Sequence, residues 1–181
     1  MNEIKEITKI GLFTALIAVC SFITIPFFDV PFTMQTFAVF FACFALGWKS
    51  ACVAVGAYVL LGIAGAPVFA GFKGGIGVIA GPTGGYIVGF LAAVLVYGLI
   101  TVLFGKNGEK AIVKVAAMIT GLIVLYAFGT VWFALVYSKG APLGVFVILG
   151  KCVIPFVLPD LAKLFAAFFV AQRVKKILPA S

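Results

Sequence analysis

The chain has 181 residues, 65% of them hydrophobic and 10% charged, with no histidine and a formal net charge of +8. A soluble domain carries about 25% charged residues, so so few charges cannot cover a water-facing surface, whereas the recurring apolar runs match the ~20 residues needed to cross a ~30 Å hydrocarbon core. Lys and Arg lie in short breaks between those runs rather than in one basic stripe with interleaved aromatics, which argues against nucleic acid as a partner.

In chain order, a first membrane span is predicted over residues 7–25, closed by Pro26. Residues 1–9 mix acids with lysines, the apolar run continues past Cys20, and no small-residue cleavage site follows, so this is read as a retained helix rather than a signal peptide. A polar-punctuated loop over residues 28–35 leads to a second span at 36–46, short enough to imply tilt, and a third at 51–63. Residues 62–89 then hold ten glycines and two prolines. Glycine at that density is poor helix material, yet Val68, Phe69, Phe72, Ile76, Val78 and Ile79 make the stretch too apolar to float in water. Irregular backbone at membrane depth is tolerated where it is buried or lines a cavity, so a loop folded over a pocket is expected. A fourth span is placed at 83–104 and a fifth at 111–137, with a break at 138–142. Pro155 and Pro159 argue against one continuous last helix, because an interior proline costs about 3 kcal/mol and one in the first turn does not. The sixth span is therefore predicted at 159–176, after a loop or partial helix at 143–156.

The expected fold is thus a single all-α integral membrane domain of six transmembrane helices, both termini on one side. That side would carry Lys5, Lys9, Lys49, Lys106, Lys110, Lys114, Arg173, Lys175 and Lys176, against Lys73 and Lys139 on the other. Nine against two puts both termini in the cytoplasm by the positive-inside rule. The glycine-rich stretch, the 29–35 loop and the start of the last helix then share the outer face.

Chemistry is sparse. Cys20, Cys43, Cys52 and Cys152 sit inside apolar stretches without a CxxC pair, so neither a metal site nor a redox motif is expected, and no cofactor. Gly150-Lys151 is followed by Cys152, Gly105-Lys106 by Asn107, and neither has the first glycine of a phosphate loop; Gly75-Ile76-Gly77-Val78-Ile79-Ala80 follows no strand. Lys151 is read as snorkelling to the interface. Asp160 and Lys163 are the informative pair. Three residues apart on one helix face, they can touch, and charges within a membrane helix cost about 2.5–3.5 kcal/mol each, so they are usually paired and functional. They read either as an ion pair anchoring the helix or as a ligand site offering both acceptor and donor. In the first helix, Gly11/Ala15 and Thr14/Ala18 are small residues four apart, suited to close packing inside the protein or against another subunit.

Val30-Pro31-Phe32-Thr33-Met34-Gln35-Thr36, Gly65-Ala66-Pro67-Val68-Phe69-Ala70-Gly71-Phe72, Gly81-Pro82-Thr83-Gly84-Gly85-Tyr86, and Pro155-Phe156 followed by Asp160 and Lys163 together resemble the BioY family, in the same order and over nearly the whole chain. These are the biotin-specific S components of energy-coupling factor (ECF) transporters. The resemblance implies the six-helix S-component fold in a prokaryotic plasma membrane, no enzymatic activity, biotin as transported ligand, and partnership with a transmembrane coupling protein (the T component) and two ATPase subunits, which suits a chain without a nucleotide site. It also implies that Asp160 accepts a ureido N–H of biotin, that Lys163 donates to the ureido oxygen or the carboxylate, that Thr83, Gly84, Gly85 and Tyr86 shape the pocket, and that Gln35 belongs to a lid. Lys73 is a candidate partner for the biotin carboxylate. Gly11, Ala15 and Ala18 would dock on the coupling protein, although the strict Ala-x-x-x-Ala spacing is absent. Where the family reads Pro-Gly-Asp, this chain reads Leu158-Pro159-Asp160. A solitary biotin carrier and an S component for another vitamin stay open. A membrane-embedded enzyme would need more acid–base groups than one aspartate with no histidine.

Overall fold

The computed structural model describes residues 2–25, 30–137 and 145–177. Pro26, Asp29, Lys139 and the break at 138–142 lie outside the described residues. Helix α1 spans Asn2–Phe22, followed by a two-residue strand β1 (Thr24–Ile25) paired antiparallel with β2 (Phe32–Thr33). Then come α2 (Gln35–Leu46), α3 (Trp48–Ile63), a single turn α4 (Ile76–Ile79), α5 (Gly84–Leu103), a 3₁₀ segment (Gly105–Glu109), α6 (Ala111–Tyr137), α7 (Val145–Cys152) and α8 (Ile154–Ile177). In hydrocarbon every backbone polar group must be satisfied within the segment, and helices do this alone.

By length and hydropathy α5, α6 and the α7–α8 segment are long and apolar enough to cross a membrane, while α2 and α3 are shorter apolar helices. Eight of the twelve residues of the short α2 are buried, because α1, α3, α5 and α8 all pack on it. The core runs from Ile17 through Phe40, Cys43, Val55 and Tyr58 to Val94, Met118 and Leu164. Leu12, Leu60, Leu99, Leu135 and Phe169 point outward, an apolar exterior suited to lipid.

The α5–α6 seam is the most intimate. A side chain at Gly121 would strike the Ala93 carbonyl, and one at Gly129 would strike the Tyr86 ring. Small residues at such seams let helix backbones approach where no hydrophobic drive separates protein from lipid. Helices α5 and α6 coincide to within a residue with the segments 83–104 and 111–137.

Helix α1 starts at Asn2 rather than at residue 7 and α3 at Trp48 rather than at residue 51, and two further boundaries differ from the sequence reading. The first helix stops at Phe22, and the β-branched run Ile23-Thr24-Ile25, expected as helix, leaves it to form a strand against residues 32–33. The last helix begins at Ile154 rather than near Pro159, with Pro159 inside it. Pro155 sits in the first turn, where its missing N–H would have had no partner. Pro159 removes one bond, to the carbonyl of Pro155, barely past that turn. The last helix is extended accordingly, and the part-helix expected before it is α7.

The glycine-rich stretch folds back over the bundle, as expected. Phe69 and Lys73 exchange both backbone hydrogen bonds (2.9 and 3.3 Å), Gly75 N–H donates to the Gly62 carbonyl at 2.7 Å, and Ser21 at the end of α1 donates to the Val68 carbonyl at 2.6 Å. Phe69 is buried under this turn, its ring edge-on to Tyr58 at 5.5 Å.

Candidate functional site

Asp160 is the seventh residue of α8, two turns in rather than in the first turn, so the helix end does little for its charge. Three donors do the work instead. Oδ1 accepts from the Thr36 hydroxyl at 2.9 Å and from the Lys163 ammonium at 2.8 Å, and Oδ2 accepts from the Tyr126 hydroxyl at 2.7 Å. Lys163 Nζ also donates to the Thr33 carbonyl at 2.7 Å and to Thr36 Oγ1 at 3.2 Å, and lies 3.7 Å from the centroid of the Phe32 ring. Asp160 and Lys163 are 3% and 7% exposed. An ion pair this deep loses more to desolvation than it gains by attraction unless its remaining lone pairs and protons are satisfied, and here the hydroxyls of α2 and α6 and the β2 carbonyl satisfy all but one of them.

The satisfaction is unequal. A carboxylate offers about four acceptor sites. On Oδ1 two are occupied, on Oδ2 one, and all three N–H of Lys163 are engaged among the described residues. Among the described residues the pair therefore leaves one acceptor position open, on Oδ2. Asp160, Lys163 and Tyr126 belong to the wall of a cavity of about 170 Å³.

The cavity gathers most of the residues singled out in the sequence. Gln35, Lys73, Thr83 and Tyr86 line it with Asp160 and Lys163. Gln35 is itself held, its amide N–H donating to the Tyr58 hydroxyl at 2.5 Å and its carbonyl accepting from Thr33 Oγ1 at 3.1 Å, which fixes the β2–α2 corner over the cavity. Thr83 precedes α5 and its carbonyl accepts from the backbone N–H of Tyr86 and Ile87. Tyr86 lies flat against Gly129, its hydroxyl 3.4 Å from Thr130 Oγ1. Lys73 is exposed on the glycine-rich turn, and its ammonium has no partner among the described residues.

Gly84 and Gly85 are not in the wall. Gly84 packs on the Ile79 backbone and Gly85 on the Trp132 side chain, so they bring α5 close to α4 and α6 and act on the cavity only by placing Tyr86. Gly11 and Ala15 are exposed on α1 and Ala18 is half-buried, while Thr14 points inward and donates to the Ala54 carbonyl at 3.1 Å. The small-residue face of α1 thus looks out of the bundle, far from the cavity wall.

The sequence reading passed over Tyr126, Thr36 and Tyr58. Thr36 lay within a quoted motif without a role, and the tyrosines carried a usable signal: each places a phenolic hydroxyl in the middle of an apolar helix, and a buried hydroxyl needs a partner. Apolar residues complete the wall, among them Phe69, Phe90, Leu125 and Phe156. A small set of convergent polar groups in an apolar cavity is the usual form of a small-molecule site.

The BioY family model matches residues 1–180. The chain belongs to the BioY family. It is 41% identical over 178 residues to the biotin transporter BioY of Thermotoga maritima, covering 96% of this chain and 97% of that one. It is 36% identical over 173 residues to a probable biotin transporter BioY of Pyrococcus horikoshii, covering 94% and 96%. Among solved structures it is similar to the crystal structure of the S-component for biotin from an ECF-type ABC transporter, with a TM-score of 0.82, 25% identity, and 97% of this chain and 93% of that one covered. The fold is therefore that of an ECF S component, and like its relatives the chain belongs among multi-pass membrane transport proteins rather than enzymes.

Proposed function

We propose that this BioY-family chain binds biotin as the S component of an ECF transporter in a prokaryotic plasma membrane. The open acceptor site on Asp160 Oδ2, at the wall of an apolar cavity, is the observation that carries the reading. Biotin's ureido ring offers two N–H donors and a carbonyl acceptor, and its bicyclic body and aliphatic tail suit the wall of Phe69, Phe90, Leu125 and Phe156. One ureido N–H takes the free position on Oδ2. Lys163 reaches the ureido oxygen by exchanging its longest bond, the 3.2 Å contact to Thr36 Oγ1, for one to the ligand. Tyr86 supplies an aromatic face, the Thr33–Gln35 corner closes over the ring, and the ammonium of Lys73 meets the biotin carboxylate at the rim.

The bundle spans the membrane six times, through α1, α2, α3, α5, α6 and α8, with both termini cytoplasmic and the cavity outside. A chain with no phosphate loop requires external energy, so the T component and two ATPase subunits complete the transporter. The exposed Gly11–Ala15 face of α1, continued by half-buried Ala18, is the surface on which the coupling protein docks.

Calorimetry on the detergent-purified chain tests the substrate: saturable heat with biotin and none with thiamine or riboflavin is expected, and heat with another vitamin but not biotin would overturn the reading. Uptake into vesicles with and without the T component and ATPases tests the coupling, which predicts ATP-dependent accumulation only in the full assembly.

A further inference from the structure

A second cavity, of about 190 Å³, lies at the other end of the helices. Its wall includes Lys175, fifteen residues beyond Asp160 on α8, so roughly 22 Å of helix separates the two sites. The biotin reading has no use for it.

The carbonyl end of α2 reaches its wall at Phe44 and Leu46, but most of its polar side chains are donors. Tyr97 of α5 is 2% exposed, its hydroxyl has no hydrogen-bond partner among the described residues, and since no described side-chain oxygen is both sealed and unsatisfied, that hydroxyl opens on the cavity. Helix α3 starts here at Trp48 without a side-chain cap; Ala51 N–H donates back to the Gly47 carbonyl at 3.1 Å, while the backbone N–H groups of Trp48, Lys49 and Ser50 have no acceptors among the described residues. Lys114 of α6, only 12% exposed, uses one N–H on Glu109 and keeps two. Lys175 brings a second ammonium. Against these donors stands one carboxylate, Glu109, 82% exposed and already engaged with Lys114.

Four helices thus aim N–H and O–H groups into one space with a positive excess. A single carboxylate cannot hold a metal, and an apolar ligand would leave the Tyr97 hydroxyl and the α3 terminus unsatisfied. A tetrahedral oxyanion meets the array from every side, and helix N-termini with nearby lysines are suited to it. We propose that this cavity binds a phosphate group, supplied either by the headgroup of an anionic phospholipid or by a soluble phosphate. The lipid source is favoured by charge, because Lys49, Lys106 and Lys110 lie within three residues in sequence of the lining residues Trp48 and Glu109, and basic pockets between helix ends recruit acidic lipids.

The test is native mass spectrometry of the full chain taken from nanodiscs of equal phosphatidylglycerol and phosphatidylcholine, with inorganic phosphate titrated in a second arm. One phosphatidylglycerol retained at least tenfold over phosphatidylcholine is expected, falling to parity in Tyr97→Phe/Lys175→Gln, with biotin affinity within twofold of the unaltered chain as the check on folding. Lys175→Gln alone, at an exposed position, serves if the double variant fails to fold, and is expected to lose severalfold in retention. Saturable phosphate binding that displaces the lipid and is lost in the variants assigns the site to any phosphate group; retention without displacement assigns it to the lipid. Equal retention of both lipids with no phosphate binding, or selective retention undiminished in the variants, overturns the proposal.

Discussion

The Tyr126 hydroxyl, in the middle of α6, donates to Asp160 Oδ2 at 2.7 Å, so the carboxylate oxygen with a free acceptor site is positioned by a helix other than its own. Thr36 holds the other oxygen from α2. The charge at the cavity wall is thereby located by three helices, and its direction depends on their packing.

Removing the charge should therefore cost more than one contact. Asp160→Asn loses the ligand acceptor and leaves the Lys163 ammonium buried without its counter-charge. Hydrogen bonds to charged groups are worth about 1.5–3 kcal/mol, so biotin affinity in calorimetry should fall at least tenfold. Lys163→Ala should do likewise. In the double variant the losses should be far from additive, because the two residues share one network. Unchanged affinity in both single variants would reduce the pair to a structural anchor.

Tyr126→Phe isolates the positioning. It removes one oxygen, leaves the ion pair intact, and frees a second site on Oδ2. If orientation matters, affinity should drop about fivefold or more, on the order of 1 kcal/mol, with the thermal midpoint in detergent lowered as well. If only acceptor capacity matters, affinity should hold or rise.

How much of this could be read from the residues depends on their chemistry. Asp160 and Lys163 were legible because a charge inside an apolar segment is costly and needs a reason. The α5 and α6 limits were legible because hydrophilic residues break the apolar runs sharply at 105–110. The start of α8 was not, because a proline's cost depends on whether its N–H would have found a partner, and that is set by where the helix begins. Nor was the strand at 24–25, since Ile and Thr suit a membrane helix as well as a strand and only pairing with residues 32–33 decides. Gly84 and Gly85 looked like cavity residues on sequence proximity to Tyr86, while their contacts with Ile79 and Trp132 exist only in the packed bundle. The wall contributed by Tyr126 lies 34 residues from Asp160 in sequence, beyond any local pattern.

The glycine seam yields a pair of contrasting variants. At Gly129 an added methyl meets the Tyr86 ring, a cavity-wall residue, whereas at Gly121 it meets the Ala93 backbone well below the cavity. Gly129→Ala should weaken biotin binding severalfold by pushing Tyr86 inward. Gly121→Ala should lower the thermal midpoint more than the affinity, since a backbone cannot rotate away and overpacking costs about 1–3 kcal/mol. Binding and melting curves on both variants give the comparison, and equal effects on affinity would show that Tyr86 does not shape the site.

Lys73 is exposed, so its contribution to a carboxylate is that of a surface ion pair, about 0.2–1 kcal/mol. Lys73→Gln should weaken biotin by no more than about fivefold, and biotin methyl ester, which lacks the charge, not at all. Raising salt from 50 to 500 mM should erase the difference between the two chains, because exposed pairs are screened. A variant that loses both ligands equally would place Lys73 in the loop's fold rather than on the carboxylate.

At the opposite end, the hydrogen bond from Lys114 and then its charge hold the Glu109 carboxyl below its ordinary value. A carboxyl depressed in the folded state binds fewer protons than in the unfolded chain, so stability rises with pH through that window. The contribution is fully present above about pH 5 and is lost as pH falls through the lowered folded value. Glu109 is 82% exposed, so the effect is small. Melting curves between pH 3 and 7 should show the unaltered chain losing its margin over Glu109→Gln on acidification, the two converging at the acid end. Both residues also line the second cavity, so a phosphate ligand that draws Lys114 away from Glu109 should flatten that slope in the unaltered chain and leave the slope of Glu109→Gln unchanged.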